Sequence, residues 1–168
     1  MRTFIAAGAS AASLLLFAAL AAASPFSREQ IKRGEYLATI MDCSGCHTTG
    51  ALQGKPDPKR HLGGSQVGFQ IPDLGTFYPP NITQDPDAGI GRWTEADIVQ
   101  AVRTGIRPDG RILAPVMPYH NYGKLTDEDA EALAAYLMSV KPVPHKAPAL
   151  VGPSGKPKAP YLAVIMPE

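Results

Sequence analysis

Ile31, Gly34, Leu37, Ala38 and Met41 recur at helical spacing and give the first apolar stripe of the chain. Ser27-Arg28-Glu29-Gln30 just before it has the Ser-x-x-Gln form of a capping box, which predicts a helix starting at Arg28. That helix delivers the chain directly into Cys43. Thr94-Glu95-Ala96-Asp97 is a second box, followed by an apolar face of Ile98, Ala101 and Val102 and by Gly105, which stops the helix as a left-handed cap would. A third helix is capped by Thr126-Asp127-Glu128-Asp129, lined by Ala130, Leu133, Ala134, Leu137 and Met138, and ended by Pro142.

The stretches between these helices lack periodicity. Residues 48–93 are rich in glycine and proline, and so long a stretch is uncommon in a compact domain unless it is functional or wraps something. Phe69, Ile71, Leu74, Phe77, Tyr78 and Ile82 argue against disorder there. "IRPDGRILAPVMPYHNYGKL" is a second proline-rich loop with a turn at Asp109-Gly110, and the stretch after Lys141 reads as an extended Pro/Lys tail. Its "YLAVIM" segment suits either a strand-like return onto the domain or a partner's surface. Three helices, two long loops and no convincing sheet are too little to build a good core. The pattern calls for a large apolar guest.

The amino-terminal end changes the compartment. Arg2 precedes an uncharged apolar run that closes on Leu20-Ala21-Ala22-Ala23-Ser24, the form of a signal peptide cut after Ala23. The expected division is a signal peptide at 1–23, a domain at 24–145 and a tail at 146–168, in a protein exported to the periplasm; membrane association follows only if the first segment stays uncleaved. The formal net charge is +1, and losing Arg2 brings basic and acidic residues into balance. That balance argues against a nucleic-acid binder, which would carry a basic stripe.

The sequence contains two cysteines, both in Cys43-Ser44-Gly45-Cys46-His47. A disulfide closing so short a loop would stabilise little. Two thiols at this spacing reach the two vinyl groups of one haem, and the imidazole that follows serves as proximal iron ligand: this is the pattern of c-type haem attachment. A thioredoxin-like pair would want a strand before it, and a structural zinc site needs about four ligands, which adjacent Cys46 and His47 do not readily supply to one ion.

For the other face of the iron the candidates are Met41, Met117, Met138, Met166, His61, His120 and His145. Met41 is tied to the helix entering the motif, Met138 shares the stripe of Leu133 and Leu137, and Met166 is near the chain end. Met117 lies in Ala114-Pro115-Val116-Met117-Pro118, where two prolines stiffen the loop. It is the expected sixth ligand, with His120 its closest rival. A haem closed by His and Met has no open site for oxygen or substrate, and the thioether raises the potential. That describes an electron carrier.

"RGEYLATIMDCSGCHT", "PPNITQDPDAGIGRWTEADIVQAVRTGIRPDGRILAPVMPYHNYGKLTDEDAEALAAYL" and the Ser139-Val140-Lys141-Pro142-Val143 that follows resemble a class I cytochrome c. The likeness is closest to the single-haem modules of the cytochrome subunit of membrane-bound alcohol and sugar dehydrogenases of acetic acid bacteria. It covers roughly residues 28–145. It implies an all-α, class I cytochrome c fold: three main helices, the first and last crossing near Gly34, and long loops wrapped around one covalently attached haem c. It also implies His47 and Met117 as axial ligands, with Tyr78, Asn81, Arg92 and Trp93 as candidates for the haem propionates. Those subunits carry three modules and a membrane-binding segment, whereas one module and a tail stand here.

The expected function is single-electron transfer from a dehydrogenase, or another redox donor, toward a terminal acceptor, with no catalysis of its own. The alternatives are an electron-transfer subunit of a multi-chain oxidoreductase, or a haem enzyme or gas sensor with an open sixth position.

Overall fold

The computed structural model describes residues 25–165. The expected signal peptide and Met166 lie outside them. Among the described residues the elements run α1 (Arg28–Ile40), α2 (Cys43–His47), two single 3₁₀ turns (Ala51–Gln53 and Pro58–Arg60), β1 (Gly68–Ile71), β2 (Gly75–Phe77), α3 (Glu95–Thr104), α4 (Tyr119–Tyr122), α5 (Asp127–Ser139) and β3 (Tyr161–Leu162).

The long helices begin where their caps predict. Ser27 and Gln30 close a reciprocal box on α1, Thr94 and Asp97 do the same on α3, and the Thr126 side chain accepts from the Asp129 amide on α5. Gly105 ends α3 at φ 75°. α5 stops at Ser139, three residues ahead of Pro142, with Val140 already extended.

α1 and α5 form the main helix contact, and α3 packs on α5 from another side. The crossing depends on small residues. Ala134 and Ala135 are fully buried, and a Cβ on Gly34 would sit 2.7 Å from the Tyr136 Cβ and in collision with the Ala132 carbonyl oxygen. Arg33 of α1 forks onto Asp129 of α5 at 2.8 and 3.0 Å on the outside of the pair. Leu37, Ala38, Leu62, Ile90, Ile98, Leu133 and Leu137 fill the core between the helices.

The all-α expectation is corrected. β1 pairs antiparallel with β2 and parallel with β3 in a small sheet ordered β2-β1-β3, so the architecture is mixed, although the class I cytochrome arrangement of helices fits. The hairpin closes through Asp73 at φ 63° and Gly75 at φ 116°, where a Cβ would collide with the Val151 carbonyl. Strands of two to four residues carry almost no alternation for a sequence pattern to show. The partner of β1 is also some ninety positions away, at Tyr161 and Leu162. The tail thus returns onto the domain, helped by Val151 pairing with Thr76 and by the Tyr78 hydroxyl donating to Ala159 O at 2.8 Å.

Candidate haem site

The chain leaves α1 through Met41 and reverses at Asp42, which sits in the left-handed region at φ 54°, so that α2 begins at Cys43. A Cβ on Gly45 would press on the Asp42 carboxylate, 2.5 Å from its carboxyl carbon, so a larger residue there needs that side chain to turn away. Within this short helix Cys43 and Cys46 stand three residues apart, on one side. Both are half-buried free thiols. Burial, and then the neighbouring Asp42 carboxylate, push the Cys43 thiol up to about 11 and raise Cys46 as well. Both therefore keep their protons at neutral pH. A redox dithiol needs the opposite, a thiol lowered toward the thiolate.

His47 is 8% exposed. Its Nδ1 lies 2.8 Å from the Pro80 carbonyl oxygen. A carbonyl only accepts, so the proton sits on Nδ1 and the Nε2 lone pair is left for a metal. Burial lowers the pKa of the ring, against the opposing pull of Pro80, and keeps the imidazole neutral. Two segments hold the residue. Gly64 N donates to His47 O at 2.7 Å, Leu62 N to Thr48 Oγ1 at 3.0 Å, and Ile82 N to Leu62 O at 2.9 Å, which ties 62–64 to 80–82 around the ring.

Met117 is half-buried in a bend, its amide donating to Ala114 O at 2.9 Å and its carbonyl accepting from Tyr119 N at 2.8 Å. The following α4 fastens this loop to the motif. Tyr122 donates its hydroxyl to Met41 O at 2.9 Å, and burial, with the Cys43, Cys46 and Asp42 side chains nearby, raises its pKa to about 12. Sequence reasoning missed Tyr122; its position five residues after Met117 was the available signal. Among the rival ligands, Met41 and Met138 pack against the core, His120 is exposed beside the Tyr119 ring, and His61 reaches the Tyr136 hydroxyl at 3.3 Å.

The four residues considered for propionates separate. Asn81 gives both amide hydrogens to Val143 O and His145 O, Tyr78 gives its hydroxyl to Ala159 O, and Arg92 bonds Asp87 and Pro86 O at the surface. Trp93 packs against the core with the Arg107 guanidinium 5.4 Å over its ring. Arg107 Nε is buried with no partner in the structure, an orphaned donor of the kind an anion satisfies. Arg107 was also missed, although Arg107-Pro108-Asp109-Gly110 forms the turn legible at Asp109-Gly110. Two protonated thiols beside a neutral imidazole with a free Nε2 fit a covalently held haem, and the unpaired Nε of Arg107, whose Nη2 pairs with Asp109 at 3.3 Å, suits an anion such as a propionate.

The cytochrome c family profile matches residues 31–141. The chain belongs to the cytochrome c family. This cytochrome is 45% identical over 126 residues to the cytochrome c subunit of the quinone-type alcohol dehydrogenase of Gluconobacter oxydans (strain 621H), covering 73% of this chain and 24% of that one. It is 43% identical over 122 residues to the fructose dehydrogenase cytochrome subunit of Gluconobacter japonicus, covering 72% of this chain and 24% of that one. It is 43% identical over 114 residues to the gluconate 2-dehydrogenase cytochrome c subunit of Pantoea cypripedii, covering 67% of this chain and 24% of that one. The cytochrome thus spans about a quarter of these relatives' length. Membership of the family implies covalent haem c, for which Cys43, Cys46 and His47 supply the motif.

Proposed function

We propose that this chain is an exported one-electron carrier holding a single haem c through Cys43 and Cys46, with His47 and Met117 on the iron. The observation that carries the reading is the His47 ring: Nδ1 committed to Pro80 O, Nε2 free, in the same short helix as two unpaired protonated thiols. When bound, the haem supplies a reversible Fe(III)/Fe(II) couple. Cys43 and Cys46 would hold it covalently, each thiol still carrying the proton that such an addition needs. His47, its tautomer set by Pro80 O, would offer Nε2 to the iron. Met117, in a loop fastened by Tyr122 to Met41, would offer its thioether as the second protein ligand. Arg107, stacked on Trp93, offers its unpaired Nε to a propionate. With His47 and Met117 both bound to the iron, the chain would have an electron to pass and no place for a substrate.

Residues 1–23 are proposed as the export signal, 24–145 as the haem domain and 146–168 as a tail. Among the described residues no helix is long and apolar enough to cross a membrane. The donor is proposed to be a dehydrogenase, as the names of the relatives suggest. Those names also favour a second reading, a subunit held in a multi-chain oxidoreductase; co-purification of dehydrogenase activity with the natively expressed chain would support it over a free carrier.

The test is haem content by alkaline pyridine spectrum together with a redox titration of the exported protein. One haem per chain, a one-electron Nernst curve and no carbon monoxide binding in the reduced state are expected. Ready carbon monoxide binding would mean an open iron site and overturn the carrier reading.

A further inference from the structure

Residues 143–145, at the end of the domain, grip both segments that hold His47. On one side, Pro80 O accepts from His47 Nδ1, and the next residue, Asn81, places Nδ2 2.7 Å from Val143 O and 2.9 Å from His145 O. On the other side, Gly64 N donates to His47 O, and the preceding Gly63 O accepts from His145 Nδ1 at 2.8 Å. Val143 N completes the set by donating to Thr83 Oγ1 at 3.1 Å. Asn81 is 2% exposed, and its Oδ1 receives Thr83 N at 2.9 Å and Thr83 Oγ1 at 2.7 Å, so its amide is fully engaged. Packing repeats the pattern. A Cβ on Gly63 would meet Val143 Cγ1 at 2.8 Å, and one on Gly64 would meet Asn81 N at 2.9 Å and Ala147 Cβ at 3.2 Å. The grips on Asn81 and on Gly63 each lie one residue from a contact that His47 itself makes.

The geometry points to residues 143–145 as a clasp that positions the His47 imidazole, with Asn81 and His145 as its positioning residues. The inference rests on His47 being the axial ligand and adds that residues 143–145 tune it. The Nδ1–H bond to a carbonyl orients a metal-bound imidazole and raises its basicity, which favours the oxidised metal. Releasing the clasp lets Pro80 O drift from Nδ1, makes Nε2 a poorer donor and shifts the couple toward Fe(II).

Asn81→Asp is the selective lesion. It keeps an oxygen for Thr83 but turns two donors into an acceptor facing two carbonyls, which frees residues 143–145. His145→Ala removes the grip on Gly63, and His145→Asn restores it, since the asparagine Nδ2 occupies nearly the place of the histidine Nδ1. The full-length haem protein is compared with these variants by reduction potential and by NMR exchange of the His47 Nδ1 proton. His145→Ala is expected to favour Fe(II) by about threefold to tenfold, tenfold being about 59 mV for one electron; the new carboxylate of Asn81→Asp pulls the other way, toward Fe(III), so that variant is read by proton exchange alone. The Nδ1 proton should exchange about tenfold faster, as a loosened bond opens more often. His145→Asn should return both values toward wild type.

Loss of thermal stability with potential and exchange unmoved would make these contacts structural only and overturn the clasp. If Asn81→Asp does not fold, the His145 pair decides. A wild type lacking a low-spin haem c would overturn the His47 reading, and the clasp with it. A normal wild type with unmoved variants would overturn the clasp alone.

Discussion

Replacing Gly34 by alanine should destabilise the protein, although alanine is the better helix former. The propensity gain is about 1 kcal/mol. Against it, the new Cβ would lie 2.7 Å from the Tyr136 Cβ and from the Ala132 carbonyl carbon, and collide with the carbonyl oxygen. Nonbonded carbons rest at roughly 3.5–4.0 Å, so α1 and α5 must part by about 1 Å. No flexible side chain can yield instead, because the obstacle is helix backbone. Parting by that distance forfeits about a quarter to a half of the contact energy of the atoms facing the gap. Leu37, Ala38, Leu133 and Leu137 lie in this part of the core, and their burial is together worth roughly 8 kcal/mol. The loss is then about 2–4 kcal/mol, and the net effect about 1–3 kcal/mol destabilising, in the usual range for overpacking. The melting temperature should fall by about 4–10 °C. Far-UV circular dichroism of the oxidised protein during heating is the assay. Gly152→Ala, whose Cβ would meet no atom within 4 Å, is the control and should stay within about 0.5 kcal/mol of wild type. A Gly34→Ala protein melting at or above wild type would refute the close-crossing argument.

Thr94→Ala removes the acceptor for the Asp97 amide at the start of α3 and should lower the denaturant midpoint by the equivalent of about 1 kcal/mol, with the slope unchanged. The hydrogen bond and charge of Arg33 hold the Asp129 carboxyl below its ordinary value. Because the folded pKa is depressed, that stabilisation is complete above the unfolded carboxylate value and is lost as pH falls through the folded one. The midpoints of wild type and Arg33→Ala should therefore converge on acidification; a gap that widened would contradict the assignment. Arg107→Gln should lower the reduction potential, since a cation at a propionate favours the reduced iron, while Arg107→Lys should recover the charge without the planar Nε donor. A redox titration reads both. Cys43→Ser with Cys46→Ser should leave haem that acidified organic solvent extracts, whereas haem in the wild type stays with the chain.

The sequence was most legible where structure is local. Ser27, Thr94 and Thr126 announce their helices because a cap bonds an amide three residues on, and Gly105 announces an end because few other residues adopt its φ. The haem motif is equally local, since five consecutive residues carry it. What stayed hidden is long-range. The pairing of Phe69 with Leu162, or of Thr76 with Val151, leaves no periodic trace in strands this short. "YLAVIM" suited both a strand and a partner's surface, and only the parallel register at Tyr161 and Leu162 distinguishes them. Asn81 stood out in sequence as a polar residue near a cofactor, but its acceptors lie more than sixty residues away, at Val143 and His145. Arg107 was hidden for a related reason: the role proposed for it rests on the donor that is left over, which no spacing displays.

The central claim is an iron closed by His47 on one side and Met117 on the other. An absorption spectrum of the oxidised protein through the weak far-red methionine–iron band, recorded for wild type and Met117→Ala, tests it most directly. The account predicts the band in wild type, its loss in Met117→Ala, and carbon monoxide binding that appears only in the reduced variant. A wild type without the band, or a variant that keeps it, would contradict the assignment of Met117.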